Sequence, residues 1–336
     1  MPPRRPDPPL SADPLYRDVP LDCRLELPVL GVAVSFETNC REILAVAEEA
    51  FGAWRVVASV PGLAATERVR VRLVLHEGHE GGERPVPLYV RMPDAERVLI
   101  GTPGSLALTD PSRREAVAYV TRELVQDRDH FRYGVLEALT LALVTRLDRQ
   151  PLHAAALVRD GRGLLLAGPS GSGKSTLAYA AARAGYQVLA EDVVFLQQCP
   201  RLRVWGMPGF LHLSPEARAH FPELAGRRPV RLANGKLKIA VDLRASAAAA
   251  PLPLLEHARI CLLARHRAAT PTLARLPPEA VEREIASWGE SGFDLFRDTI
   301  GAGVRQLACG GGWRLALGPE PRQAVALLQT IFDTIP

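Results

Sequence analysis

The densest chemistry in this chain lies between residues 153 and 192. Gly168-Pro169-Ser170-Gly171-Ser172-Gly173-Lys174-Ser175-Thr176 matches G-x-x-x-x-G-K-[ST]. The short apolar run GLLLA precedes it and the helix-forming LAYAAARA follows. That strand–loop–helix setting is the one in which such a string cradles phosphate. Glycines let the backbone close around an anion, with positive φ where needed. Loop and helix N–H groups then point at it. Lys174 is suited to the β- and γ-phosphates of ATP, and the Ser175 hydroxyl to Mg²⁺. The expected nucleotide contacts are Gly168, Ser170, Gly171, Ser172, Gly173, Lys174, Ser175 and Thr176.

Downstream, Tyr186-Gln187-Val188-Leu189-Ala190 reads as a strand that ends in Glu191-Asp192. An acidic pair at a strand end beside such a loop can hold Mg²⁺ or take a proton from an acceptor hydroxyl. Upstream, Leu152-His153-Ala154-Ala155-Ala156-Leu157-Val158, with Arg159-Asp160-Gly161-Arg162, reads as a hairpin feeding the loop. By itself His153 reads as an ordinary strand-end histidine. There is no LSGGQ-type or NKxD-type string, which argues against a transporter ATPase and a guanine-reading GTPase.

The stretch from Leu152 to Leu196 resembles the catalytic core of the HPr kinase/phosphorylase superfamily. It is most similar to the HPr kinase-like proteins of bacterial gene clusters, which include kinases that tailor lasso-peptide precursors. The order matches: a histidine fifteen residues before Gly168, the loop, then acids seventeen and eighteen residues after Lys174. The strong match covers about residues 150–197. The resemblance implies His153 beside the γ-phosphate and acceptor, and one of Glu191 and Asp192 as general base. The other would help Ser175 hold the metal, a role expected of Asp192. It also implies a P-loop core like the nucleotide domain of phosphoenolpyruvate carboxykinase. The family's usual Asp-Asp is Glu191-Asp192 here, and the Arg-Gly-rich signature linked to phosphorylase activity is not visible. HPr is therefore not the expected acceptor.

In place of that signature stand Arg227, Arg228, Arg231, Lys236 and Lys238, with no acid between 227 and 238. Asn234-Gly235 among them predicts a type I′ hairpin. Lys236 or Lys238 is expected either to clamp the transferring phosphoryl group or to be a solvated face. His212 and His220 flank the helix start Ser214-Pro215-Glu216 and read as ordinary surface or half-buried residues.

The elements that must position these residues follow from pattern. Residues 1–20, with seven of the 29 prolines, predict a disordered leader. Residues 24–36 read as strand. Asn39 with Glu42 predicts a capping box for a helix burying Ile43, Leu44, Ala47, Ala50, Phe51 and Trp54. Residues 69–75 alternate as a half-buried strand. HEGHEGGERP reads as a solvated loop, with His76 and His79 lacking a third metal ligand. Two or three strands are expected over 86–108, and helices over 111–125 and 130–147. The expected α/β architecture is a leader, an N-terminal α+β domain over 21–128 that is a candidate for substrate recognition, and a catalytic domain over 129–336. Helices are expected again at 278–288 and 322–333. Trp288, Phe293 and Phe296 read as core or subunit interface.

Composition bounds the rest. The 336 residues are 47% hydrophobic and 23% charged, an ordinary globular mix. No apolar run reaches membrane-span length. A net charge of +4 and 6% aromatics do not suggest nucleic-acid binding. The five widely spaced cysteines suggest neither disulfides nor zinc, and a cytoplasmic setting is expected. The expected activity is ATP- and Mg-dependent phosphoryl transfer to a Ser or Thr hydroxyl of a peptide or small protein, from a chain that can form a homo-oligomer. A metabolite kinase and a nucleotide-gated binding protein are the alternatives.

Overall fold

A computed structural model describes residues 13, 18–63, 65, 67–81, 87–92, 97–207, 209–232, 235–243, 246, 248–265, 270–288 and 297–335. Most of the expected leader, Phe293 and Phe296 lie outside them. The fold is mixed α/β. Contacts divide the chain into two units. One is Met1–Leu27, Val34–Ala50 and Arg68–Leu143; the other is Pro28–Ala33, Phe51–Glu67 and Val144–Pro336.

The first unit is built on β1 (Cys23–Val29), β2 (Val32–Thr38), β3 (Arg68–His76), β4 (Leu88–Met92), β5 (Arg97–Gly101), β6 (Leu106–Asp110) and β7 (Glu115–Thr121). Among the described residues these form one sheet in the order β1-β2-β3-β7-β6-β5-β4. Its helices are α1 (Arg41–Phe51), α2 (Arg122–Gln126), α3 (Arg128–Phe131) and α4 (Ala138–Val144).

Several expectations change here. Residues 24–36 are not one strand, because Leu30 and Gly31 both take positive φ and turn the chain. A Cβ on Gly31 would lie 2.6 Å from the Trp205 ring, so only glycine lets that indole close over the turn. Asn39 does not cap α1. Its amide exchanges two hydrogen bonds with the Leu75 backbone on β3, accepting from N–H and donating to C=O. Residues 115–121 are strand, not helix. Ala116, Ala118 and Val120 are buried in alternation, the period of a strand, and pair in parallel with β3.

The loop after β3 is not simply solvated, although its residues 82–85 lie outside the described ones. Glu80 is 7% exposed and accepts hydrogen bonds from the hydroxyls of Ser105, Thr102 and Thr121. Exposed His79 instead meets Glu123.

The second unit holds β8 (Gln150–Arg159), β9 (Arg162–Ala167), β10 (Gln187–Ala190), β11 (Val193–Gln197), β12 (Arg203–Gly206), β13 (Phe210–Leu213), β14 (Val230–Arg231), β15 (Leu237–Asp242), β16 (Leu254–Leu255), β17 (Ala258–Arg265), β18 (Thr272–Leu276) and β19 (Gly312–Leu317). Its helices are α5 (Lys174–Arg183), α6 (Pro278–Ser287), α7 (Arg297–Ala308) and α8 (Pro321–Phe332). The main sheet runs β16-β12-β11-β8-β9-β17-β19-β18, with β10 also on β8.

Apolar residues line both faces of this sheet, so helices cover both. Leu164 and Leu166 of β9 face a core shared with Leu177 and Ala181 of α5 and Leu328 of α8. Leu165 and Ala167 face the opposite core, with Val281 of α6 and Leu307 of α7. The β8–β9 hairpin turns at Asp160-Gly161, both at positive φ, as a type I′ turn requires. β13, β15 and β14 form a separate small sheet in that order. Its Leu211, Leu213, Ile239 and Val241 join the α5 core.

Burial acts to raise the Glu80 pKa. The hydrogen bonds from Ser105, Thr102, Thr121 and the Gly104 N–H outweigh it, and the carboxyl ends below its ordinary 4.5. A pKa lowered on folding stabilises the protein above that ordinary value, and the stabilisation is lost as pH falls through the folded pKa. Glu80→Gln is expected to cost about 1–3 kcal/mol in urea unfolding at neutral pH. The gap between variant and parent should narrow below about pH 4.5.

Candidate active site

Every residue of the site belongs to the second unit. β9 is buried to its end at Ala167, and its parallel partner β17 runs beside it. The chain then leaves the sheet through residues 168–173 and enters α5. Glycine is required at the exit: a Cβ on Gly168 would lie 2.7 Å from Ser172 Oγ and 3.0 Å from Leu263 O. It is required again at the helix entry, where Gly173 has φ of 105° and a Cβ would meet Leu317 Cδ1 at 2.7 Å. Leu177 N–H donates to Gly173 O, so the N–H groups before it on the first turn have no helical acceptor. They give this end of α5 its positive character.

Lys174 is only 6% exposed, and its ammonium donates to the carbonyls of Gly168 and Pro169. The charge is held over the loop rather than in solvent. Ser172 Oγ is buried with no hydrogen-bond partner among the described residues. A phosphate oxygen would satisfy it. The loop therefore fits a phosphate chain: close backbone, an orphan hydroxyl, a fixed ammonium and a helix N-terminus. Ser170 is exposed on the loop and Thr176 half-buried on α5.

The acids come from a break in one ladder. β10 runs antiparallel to β8 with Ala190 opposite Ala156, and β11 continues antiparallel to β8 with Val193 opposite His153. A register irregularity lies between Val188 and Ala190. Glu191 and Asp192 occupy the gap, and their side chains diverge. Ser175 Oγ donates to Glu191 Oε1 at 2.5 Å. His153 Nδ1 donates to the Asp192 carbonyl at 2.9 Å and lies 3.3 Å from Asp192 Oδ1. A carbonyl only accepts, so the proton is on Nδ1, and a neutral ring carries its lone pair on Nε2.

Exposure separates the two acids. The Glu191 side chain is 10% exposed and that of Asp192 is 62% exposed. The Ser175 hydroxyl meets Glu191, while Asp192, the expected second metal ligand, turns toward His153. Ser175 and Glu191 offer hard oxygens, the donors that Mg²⁺ takes.

Two residues here escaped the sequence reading. His212 Nδ1 lies 3.4 Å from Glu191 Oε2, brought there by β13. Arg265, at the end of β17, donates to Gly171 O at 2.6 Å. The periodicity of either strand does not mark them, and only Arg265 stands at a strand end beside the loop. Lys236 lies just before β15, at the hairpin end of the small sheet. Leu232 N–H donates to Lys236 O, and Asn234 of the expected type I′ turn lies outside the described residues. Lys236 lies four residues along the chain from Ala240, which pairs with His212. At ~3.3 Å per residue that is roughly 13 Å.

Among the described residues no helix is long and apolar enough to cross a membrane. No family model and no curated protein matches the chain. The Hpr(Ser) kinase/phosphatase from Coxiella burnetii is a solved structure similar over 54% of this chain and 95% of that one, at 14% identity and a TM-score of 0.28.

Gly173→Ala forces a side chain into positive φ and against Leu317. It is expected to weaken binding of an ATP analogue by at least tenfold in calorimetry while the protein stays folded by circular dichroism.

Proposed function

We propose that this chain is an ATP- and Mg-dependent kinase of the HPr kinase-like type. It transfers the γ-phosphoryl group to a hydroxyl, that of Ser or Thr in a peptide or small protein. The observation that carries the reading is the division of labour between adjacent acids. Glu191 faces the loop through Ser175, and Asp192 faces outward beside His153.

The roles follow from those positions. Loop N–H groups, Lys174 and the Ser172 hydroxyl hold the phosphates of ATP. Arg265 secures the loop through the Gly171 carbonyl. Ser175 and Glu191 hold Mg²⁺, which supplies charge neutralisation on the phosphates when bound. Asp192 is exposed enough to meet an incoming hydroxyl and takes its proton. The acceptor oxygen bonds to the γ-phosphorus as the bond from that phosphorus to the β–γ bridging oxygen breaks, and ADP leaves. His153 fixes the turn that carries Asp192 through its carbonyl. Positioning and charge neutralisation supply most of the acceleration, since phosphoryl transfer asks little covalent help of a protein.

Incubation with γ-labelled ATP, Mg²⁺ and size-fractionated cell extract tests this. Label is expected on a peptide or protein fraction, and none with Lys174→Ala. Asp192→Asn should lower kcat by roughly 10²–10⁴ with little change in the KM for ATP. Full turnover by Asp192→Asn would remove its assignment as base. Label on a small metabolite would make this a metabolite kinase. ATP binding without transfer would leave a nucleotide-gated binding protein.

A further inference from the structure

The small sheet β13-β15-β14 has one face in the α5 core, formed by Leu211, Leu213, Ile239 and Val241. The opposite face is defined by register. His212 is opposite Ala240, and Val230 is opposite Lys238. Residues directly opposite share a face, as do residues two apart on one strand. His212, Ala240, Lys238 and Val230 therefore lie on the face away from the core. One end of that face is part of the active site, because His212 reaches Glu191.

The other end is basic and partly apolar. Arg227, Arg228 and Lys236 are exposed and Lys238 is half-buried, while Arg231, opposite Leu237, turns to the other face. Val230, on this face, is 46% exposed. The acid that faces Lys238 is Glu216, in the turn after β13, and Asp242 sits at the far end of β15. Four basic groups outweigh them near the hairpin. Such a surface suits an acidic partner with some apolar character.

We propose that this face is the docking surface for the acceptor, and that the acceptor is an acidic peptide segment whose carboxylates meet Lys238 and Lys236. This rests on the kinase reading and names its substrate class. The distances set the spacing. Lys238 is the diagonal neighbour of His212, about 7–8 Å away. An extended peptide covers that in two to three residues at ~3.3 Å each. The acceptor hydroxyl meets Asp192, beyond His212, so the acid that is read lies at least two to three residues from it. Lys236 stands two residues nearer the hairpin than Lys238, placed for a second carboxylate. A membrane is the other partner that basic and apolar groups attract. It is disfavoured because the face runs into the site instead of standing apart from it.

Two fluorescein-labelled peptides test the proposal: a central serine flanked by glutamates, and its lysine-flanked counterpart. Binding is followed by anisotropy, and label transfer from γ-labelled ATP is followed in the same samples. The native chain is expected to bind the acidic peptide at least tenfold more tightly. Lys236→Glu combined with Lys238→Glu should reverse that preference. Arg162→Glu combined with Arg322→Glu makes the same change in net charge elsewhere on the second unit and should leave the preference intact. No preference in the native chain, or an equal loss in both double variants, would overturn the proposal. So would tighter binding to phosphatidylserine vesicles than to the acidic peptide. Hairpin-dependent binding without transfer to either peptide would keep the docking surface and remove the kinase reading.

Discussion

The hydrogen bond from Ser175 to Glu191 ties together two elements that the chain builds separately. Ser175 stands on the first turn of α5, fixed by the glycine-lined exit from β9. Glu191 stands where the ladder along β8 breaks. Their contact ties the glycine-rich loop to the acidic pair. It also decides which acid faces which way. With Glu191 turned to the loop, Asp192 is left pointing outward, against His153. Each remaining assignment, from metal to base to acceptor, depends on that one choice of side.

The surrounding structure keeps the choice from relaxing. β8 is paired on one side with β9 and on the other with β10 and β11, so His153, the loop and both acids are anchored to neighbouring stretches of a single strand. Both faces of that sheet are covered by apolar helix surfaces. Sites held on buried strands move less than sites held on loops. β13 adds a wall from outside this sheet, and through His212 it gives Glu191 a second partner besides Ser175.

The parts of the site legible in the sequence are those whose chemistry is local. Glycine spacing, Lys174 and Ser175 declare themselves within nine residues. The hairpin at Asp160-Gly161 carries its own turn signal, and the acidic pair is visible as a strand end. What was not legible depends on long-range pairing. His212 meets Glu191 only because β13 folds back beside it, and no local pattern encodes that. Which way each of two adjacent side chains turns at a ladder break is not encoded locally either, so the contact of Ser175 with Glu191 was not legible. Residues 115–121 contain small and apolar residues that suit a helix as well as a strand, and parallel pairing with β3 decided the matter. Glu80 looked like one more loop acid until three hydroxyls, two from the β5–β6 turn and one from β7, closed around it.

The division between the two acids can be measured on the metal itself. Mn²⁺ replaces Mg²⁺ with the same oxygen ligands and is read by its paramagnetic resonance in the presence of a non-hydrolysable ATP analogue. The account predicts that Glu191→Gln weakens Mn²⁺ binding by at least tenfold, and that Asp192→Asn leaves it within about twofold of the native value. The opposite order, with Asp192→Asn losing the metal and Glu191→Gln keeping it, would contradict the account at its centre.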